Sequence, residues 1–418
     1  MKILQLNPAF YPAFSYGGVV NVSYNLSKVL AQRGHDITVF TSDSIDKRTR
    51  QKDLYVEHEG IKIHYFRNVS NLLAGHRYPL YPGLIRALKN HIQDFDIVHL
   101  HGTRNFQNIV AAHYANKYGI PYVVQPHGSL PLHFGKQNLK RLYDVVWGDK
   151  ILQNADGIIA LTSREAEQIV KSGVEEDRVH IIANGLDLSQ YKNISPRGEF
   201  RALYNIPSDT YVILFLGRLH PIKGLDLLIR AFEIISRKID DCVLVVAGPD
   251  DGSLSELKAL AEELNLCEKV LFTGPLYNKD KFAVYSDSDI YVLPSHYETF
   301  PMTILEAWAF KKPVIVTENC GIKDLVEDSG LVVQPNPYDL AVALQKYLQQ
   351  DSLRHRHGEN GYDKLHESLS IQATVGRVEN LYRDVIKSDD KRRFVMEPSV
   401  SGFAEHDRCL MDKHGNKR

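Results

Sequence analysis

Short apolar runs alternate with amphipathic stretches along most of the chain. Residues 3–6, 37–40, 61–66, 97–100, 122–125 and 157–161 are rich in Ile, Leu and Val and predict strands. Between them, 19–32, 84–93, 108–117 and 139–153 repeat apolar residues three or four apart and predict helices. In the first helix Val22, Leu26, Val29 and Leu30 share a face, and Gly34 supplies the stop. The alternation pauses after 179–182, and a polar stretch to about residue 209 reads as a linker. It restarts with strands at 212–216, 243–247, 270–273, 290–293, 314–316 and 331–333. Helices at 225–238, 254–264, 279–286 and 338–349 separate them. A last amphipathic helix covers 371–387, and the charged, aperiodic 388–418 predicts a disordered tail.

Strands alternating with helices imply parallel sheets covered on both faces, so the fold class is α/β. The pause divides the chain into units at 1–190 and 205–370. Open α/β sheets bind ligands beyond the carboxyl ends of their strands. Two such sheets facing each other would put loops from both around one ligand.

At 418 residues the chain exceeds a single core. Fifty basic residues against 51 acidic ones give a net charge of -1, which argues against a nucleic-acid partner. Cys242, Cys267, Cys320 and Cys409 have no paired spacing and suit reduced thiols in the cytoplasm. The first residues do not read as a signal peptide, and no apolar run reaches the roughly 18 residues of a membrane span. Any membrane contact is then peripheral. Lys136, Lys140, Arg141 and Lys150 beside Leu142, Val145, Val146 and Trp147 suit an anionic membrane surface. Asp144 and Asp149 dilute that charge and favour an ordinary surface helix.

The candidate chemistry gathers at strand ends. Glu298 and Glu306 flank the start of a helix whose first residues include Pro301, Met302 and Thr303. Free amides at a helix start bind anions. Arg218 and Lys223, in Gly217-Arg-Leu-His-Pro-Ile-Lys-Gly224, follow the strand 212–216 and suit a diphosphate. Gly17 and Gly18 head the first helix, as a phosphate approach or as a plain tight turn. His127 follows the strand 122–125 and suits a hydroxyl contact or proton transfer. His99 and His101 end another strand but lack the further ligands of a metal site. Asp287 and Asp289 precede their strand, at the wrong end for a metal-dependent site. Asp250 and Asp251 follow a strand but stand isolated. No metal is expected.

These marks together, with Asn184-Gly-Leu-Asp187, resemble the glycosyltransferases of family 4 over about residues 1–387. The resemblance implies the GT-B architecture, two facing Rossmann-like α/β/α domains with an interdomain cleft. Residues 1–190 would bind the acceptor and 205–370 the donor, with the final helix crossing back. The donor would be a nucleotide-diphosphate sugar, UDP- or GDP-linked, with no cofactor. Arg218 and Lys223 would hold its diphosphate, Glu298 the sugar hydroxyls and Glu306 the ribose. Phe300, Pro301, Met302 and Thr303 would bring backbone against sugar and phosphate. His127 would sit near the reacting sugar and Gly18 near the diphosphate. Many relatives have Gly where Pro301 stands, which removes one amide donor here. Transfer would retain anomeric configuration by front-face attack. The acceptor would be a saccharide or lipid-linked saccharide at the cytoplasmic membrane face, in surface polysaccharide or glycolipid assembly. It would bind near Phe10, Tyr11, Phe14, Tyr16, Tyr78, Tyr81 and Phe106, which suit ring stacking or plain loop packing. The rivals are a nucleotide-sugar epimerase or other GT-B enzyme, a dehydrogenase, and a non-catalytic nucleotide-sugar binder. A dehydrogenase would need a G-x-G-x-x-G that the chain lacks after its first strand.

Overall fold

A computed structural model describes residues 1–46, 48–71, 74, 79–131, 137–191 and 197–396, with side chains to residue 389. The strands β1 (Lys2–Leu6), β2 (Asp36–Ser42), β3 (Tyr55–His58), β4 (Ile61–Phe66), β5 (Ile97–His101), β6 (Tyr122–Gln125), β7 (Gly157–Ala160) and β8 (Val179–Ile181) form one sheet. Its order is β3-β4-β2-β1-β5-β6-β7-β8. The strands β9 (Tyr211–Leu216), β10 (Cys242–Ala247), β11 (Val270–Gly274), β12 (Ile290–Leu293), β13 (Val314–Thr317) and β14 (Gly330–Val333) form a second. Its order is β11-β10-β9-β12-β13-β14. Both are doubly wound, and the order reverses between β1 and β5 and between β9 and β12.

All pairings but one are parallel. The exception is β3, antiparallel to β4. The turn between them, Glu59-Gly60, has φ of 49° and 77°, which suits a two-residue hairpin. The alternation Tyr55-Val-Glu-His58 before that turn was a usable strand signal.

The first sheet is buried on both faces. Leu4, Val98, Leu100, Val124 and Ile158 pack with Leu84, Leu88 and Ala111 from the helices Gly83–His91 and Phe106–Tyr118. On the other face Ile3, Ile37, Val39, Ile97, Val123 and Ile159 meet Leu26 and Leu30 of the helix Gly18–Gln32. That layer is completed by Ile371, Val375, Val378, Tyr382 and Val385, spaced three or four apart on the last helix. The chain therefore returns to the first sheet after finishing the second.

The return runs past Gly185. Leu186 N donates to Leu369 O at 2.9 Å, and Ile371 N donates to Leu186 O at 2.9 Å. A Cβ on Gly185 would lie 2.6 Å from Ile371 Cα and from Ser370 O. Only a residue without a side chain admits the crossing backbone there.

Three readings need correction. The expected linker contains a helix, Glu199–Leu203, with Phe200 and Arg201 buried. Asp287 holds it, accepting from Gly198 N (2.5 Å) and Arg201 N (2.9 Å), while Asp289 pairs with Arg197 and Arg201. These two acids thus serve structure. The last helix runs to Met396, past the expected start of the tail at 388. Nothing breaks a helix there until Pro398, whose ring disfavours helix at the residue before it. Residues 397–418 of that tail lie outside the described residues. The helices Ser163–Lys171 and Asp351–Ser368 were not anticipated.

Gly185→Ala should lower stability by about 1–3 kcal/mol, because neighbouring backbone must move. Urea denaturation of the variant measures this, and an unchanged midpoint would refute the close-approach argument.

Candidate active site

The carboxyl ends of β9 and β12, at the second switch point, carry one group of charges. The loop after β9 ends in a short 3-10 turn, Pro221–Lys223, in which Ile222 N donates to His220 Nδ1 (3.1 Å). It lies directly against the loop after β12. His296 N donates to Ile222 O at 2.8 Å, and a Cβ on Gly224 would be 2.3 Å from Pro294 O. That contact and its φ of 63° both call for glycine. The β12 loop is stitched on its far side as well. Thr317 Oγ1 donates to Ser295 O (2.6 Å) and Gly321 N to Glu298 O (2.8 Å).

Lys223 Nζ and Glu298 Oε1 form an ion pair in this corner, with side chains 17% and 14% exposed. Ser295 Oγ adds a hydrogen bond to the same carboxylate oxygen at 3.2 Å. Arg218 instead pairs with Asp251, and both are about half exposed. Asp250 caps the following helix by accepting from the amides of Gly252, Ser253 and Leu254. Arg218 and Lys223, expected on one anion, have different partners in the structure.

Glu306 sits one turn into the helix Met302–Ala309. Its oxygens take Lys281 Nζ at 2.9 Å and Tyr285 OH at 3.1 Å. Tyr191 also bonds to it, and burial with that neighbouring negative charge pushes the Tyr191 phenol far up. Pro301 stands at the N-cap, with φ −77° and ψ 113°, and the helix begins at Met302. The amides of Met302 and Thr303 therefore head it, where first-turn N–H groups have no intrahelical acceptor. Thr303 is fixed by Tyr291 OH at 2.6 Å. Phe300 and Pro301 are buried, and Phe300 packs into the core of the second sheet. Any ligand contact at Phe300 must come from its backbone.

The first sheet supplies the opposite wall. His127 and Gly128, after β6, both adopt left-handed backbone with φ of 55° and 75°. That conformation costs energy in histidine, and such strain concentrates at functional sites. The turn touches the second domain, since a Cβ on Gly128 would fall 2.7 Å from Thr299 Cβ. Arg164 reaches across too, with its guanidinium 5.4 Å from the Tyr297 ring centre and NH1 3.4 Å from Asn319 O.

Glu165 holds this turn in place. It is 1% exposed and accepts from Gly128 N at 2.6 Å and from Leu161 N at 2.8 Å. Burial raises its pKa despite those two donors. Sequence reading missed it, although Thr162-Ser-Arg-Glu165 has capping-box spacing. Thr162 does cap the helix, accepting from Glu165 N at 3.2 Å. The Glu165 carboxylate, however, serves the cleft loop.

Behind His127 lie two more histidines. His127 Nε2 and His101 Nδ1 are 3.0 Å apart, and the His99 and His101 ring centres 4.0 Å. His99 Nδ1 meets Tyr382 OH of the last helix at 2.6 Å. His99 and His101 are fully buried core residues rather than cleft groups. Burial holds His99 down to about 3, with His101 well below the ordinary range and His127 lowered as well. All three are neutral at pH 7.

Gly17 and Gly18 head the helix Gly18–Gln32, and a Cβ at either would meet nothing within 4 Å. Phe10 and Tyr81 are core residues, which favours loop packing over ring stacking there. Tyr11 stacks on His58 at 4.2 Å, Phe14 is exposed, and Tyr78 lies outside the described residues. Among the described residues no cluster of three metal-ligating side chains occurs.

Two facing doubly wound sheets with loops from both around one cleft define a two-domain α/β enzyme of the GT-B class. A family model described as "Glycosyltransferase Family 4" matches residues 16–190, and one described as "Glycosyl transferases group 1" matches 196–364. The chain belongs to the group 1 glycosyltransferases of family 4, as its motifs suggested. It is similar to a D-inositol 3-phosphate glycosyltransferase of Xylanimonas cellulosilytica, 26% identical over 85% of this chain and 89% of the relative. It is also similar to the O-antigen chain mannosyltransferase C of Escherichia coli, 27% identical over 93% of this chain and 100% of that one. HepE of Anabaena, solved in complex with UDP and glucose, shares the fold with a TM-score of 0.75. That match has 21% identity and covers 92% of this chain and 100% of HepE.

Two outcomes test the architecture of the site. Glu165→Ala leaves the Gly128 amide without its acceptor and should cost about 1–3 kcal/mol in urea denaturation, where an unchanged stability would refute the role. The three depressed histidines predict acid sensitivity. The unfolded chain takes up protons near pH 6.5 that the folded protein refuses, so stability is intact above 6.5 and is lost as pH falls towards about 3. Each adds a slope of up to about 1.4 kcal/mol per pH unit. His99→Gln should remove about one such increment from the pH dependence of the urea midpoint.

Proposed function

We propose that this glycosyltransferase moves a sugar from a nucleotide-diphosphate donor to an acceptor hydroxyl with retention of configuration and without a metal. The observation that carries the reading is the Lys223–Glu298 pair, largely shielded from solvent at the second switch point. In the structure each charge neutralises the other. A donor offers both a better partner: its diphosphate for Lys223, and its sugar hydroxyls for Glu298. Arg218 leaves Asp251 for the same diphosphate, the amides of Met302 and Thr303 add neutral donors, and Glu306 takes the ribose hydroxyls. Gly17 and Gly18 leave room for phosphate from the other side. His127 lies near the transferred sugar and, being neutral, donates or accepts a hydrogen bond without adding charge.

Front-face transfer needs no nucleophile from the protein. Glu165, the carboxylate behind the cleft loop, is buried with both oxygens taken by amides and is unsuited to attack the sugar. In front-face transfer the bond from anomeric carbon to diphosphate oxygen breaks as the acceptor oxygen bonds on the same face. The acceptor proton passes to the departing phosphate oxygen. Lys223 and Arg218 stabilise the charge that develops there. The relatives' sugar-transfer roles, and the UDP and glucose bound by HepE, support a UDP- or GDP-linked hexose and a saccharide acceptor in surface polysaccharide or glycolipid assembly.

A mass-spectrometric screen of nucleotide sugars with a broad acceptor pool and added chelator tests this. Release of nucleoside diphosphate from one donor is expected, and none from any would sink the reading. With that donor, Lys223→Ala should lower kcat/KM by about 10²-fold or more. Glu306→Ala should raise the donor KM by about tenfold. Wild-type kinetics in either variant would overturn the assignment.

A further inference from the structure

The cleft loop is joined to a surface helix that the transferase chemistry does not use. Residues 137–153 are helical throughout, with a π turn at Asp144–Gly148 between Gln137–Tyr143 and Asp149–Gln153. Five of its apolar side chains are exposed: Leu139 and Leu142 at 59%, Val145 at 71%, Val146 at 40% and Trp147 at 44%. An apolar patch of this size on a surface helix marks an interaction site. Arg141 and Lys150 are exposed among them, and neither forms an ion pair among the described residues. Asp144, the acid that dilutes this charge in the sequence, is occupied. Arg104 holds it through Nε at 2.9 Å and NH2 at 2.7 Å. Asp149 is half-buried, and burial raises its pKa. The face is therefore apolar with a basic margin.

Arg104 also ties this helix to the cleft. Its guanidinium donates to Ser129 O and to Leu130 O, the latter at 2.7 Å, directly after the His127–Gly128 turn. Tyr143 OH adds a bond to Asn105 O at 3.0 Å. The exposed helix and the acceptor-side loop are thus held by one side chain.

We infer that residues 137–150 form an interfacial helix that rests on an anionic lipid surface and holds the cleft loop beside it. Leu, Val and Trp enter the headgroup boundary while Arg141 and Lys150 meet lipid phosphates. A second copy of this chain would bring the same cations to the face without acids to match them, whereas anionic lipid supplies the missing charge. Among the described residues no helix is long and apolar enough to cross a membrane, so contact is at the surface. That the surface delivers a lipid-borne acceptor rests on the transferase reading above. The docking itself does not.

The test uses the full chain, without donor, and two sets of vesicles. One is phosphatidylcholine alone, and the other is phosphatidylcholine with phosphatidylglycerol. Of the two tryptophans, Trp308 is buried and Trp147 is exposed, so a blue shift of emission reports docking of this helix. Binding and a blue shift are expected with phosphatidylglycerol and should weaken with salt. The variant Leu142→Glu/Val145→Glu should lower vesicle affinity at least tenfold with an unchanged Tm. Arg141→Gln and Lys150→Gln should each lower it about fivefold. The inference fails if phosphatidylglycerol vesicles do not bind, or if the glutamate variant binds like the wild type. It also fails if the wild type forms a dimer that this variant disrupts, which would make the face a self-interface. Loss of vesicle binding with soluble donor hydrolysis intact separates this inference from the transferase reading.

Discussion

The active corner depends on two opposite charges that are mostly shielded from water. A lone ammonium or carboxylate at such a position would carry a desolvation penalty with nothing to offset it, and Lys223 with Glu298 avoids this. Their pairing requires the loops after β9 and β12 to touch, which in turn requires Gly224 against Pro294. The loops can touch because β9 and β12 are paired neighbours at the point where the strand order reverses. One electrostatic constraint thus runs back through a loop contact to the topology of the sheet. Glu306 follows the same rule, its charge met by Lys281 and two tyrosines.

Much of this was legible in the sequence. The apolar runs gave twelve of the fourteen strands because parallel strands are buried on both faces and read as continuous hydrophobic stretches. The other two, β3 and β8, lie at the edges of the first sheet, where partly exposed residues weaken the pattern. The charged residues of the corner stood out because they follow strands. What the sequence concealed was partner choice. Asp251 and Lys281 are ordinary charged residues until the fold sets them beside Arg218 and Glu306. Glu165 was hidden for another reason: its spacing announces a helix cap, while its carboxylate acts on a loop 37 residues away. His99 and His101 looked like cleft groups because they end a strand, but both are buried, His99 against Tyr382 of the last helix and His101 behind His127.

The same return of the chain gives the molecule a mechanical property. Two segments pass between the sheets, one at Leu186 and one at Leu369–Ile371, and they are hydrogen-bonded to each other as a parallel pair. A single covalent strand would let one domain swivel freely. Two crossings joined by a hydrogen-bonded bridge remove part of that freedom, because rotation about either strand would break the bonds at Leu186. The wall at Gly128 thus packs on Thr299 with its orientation restrained at two points of the chain.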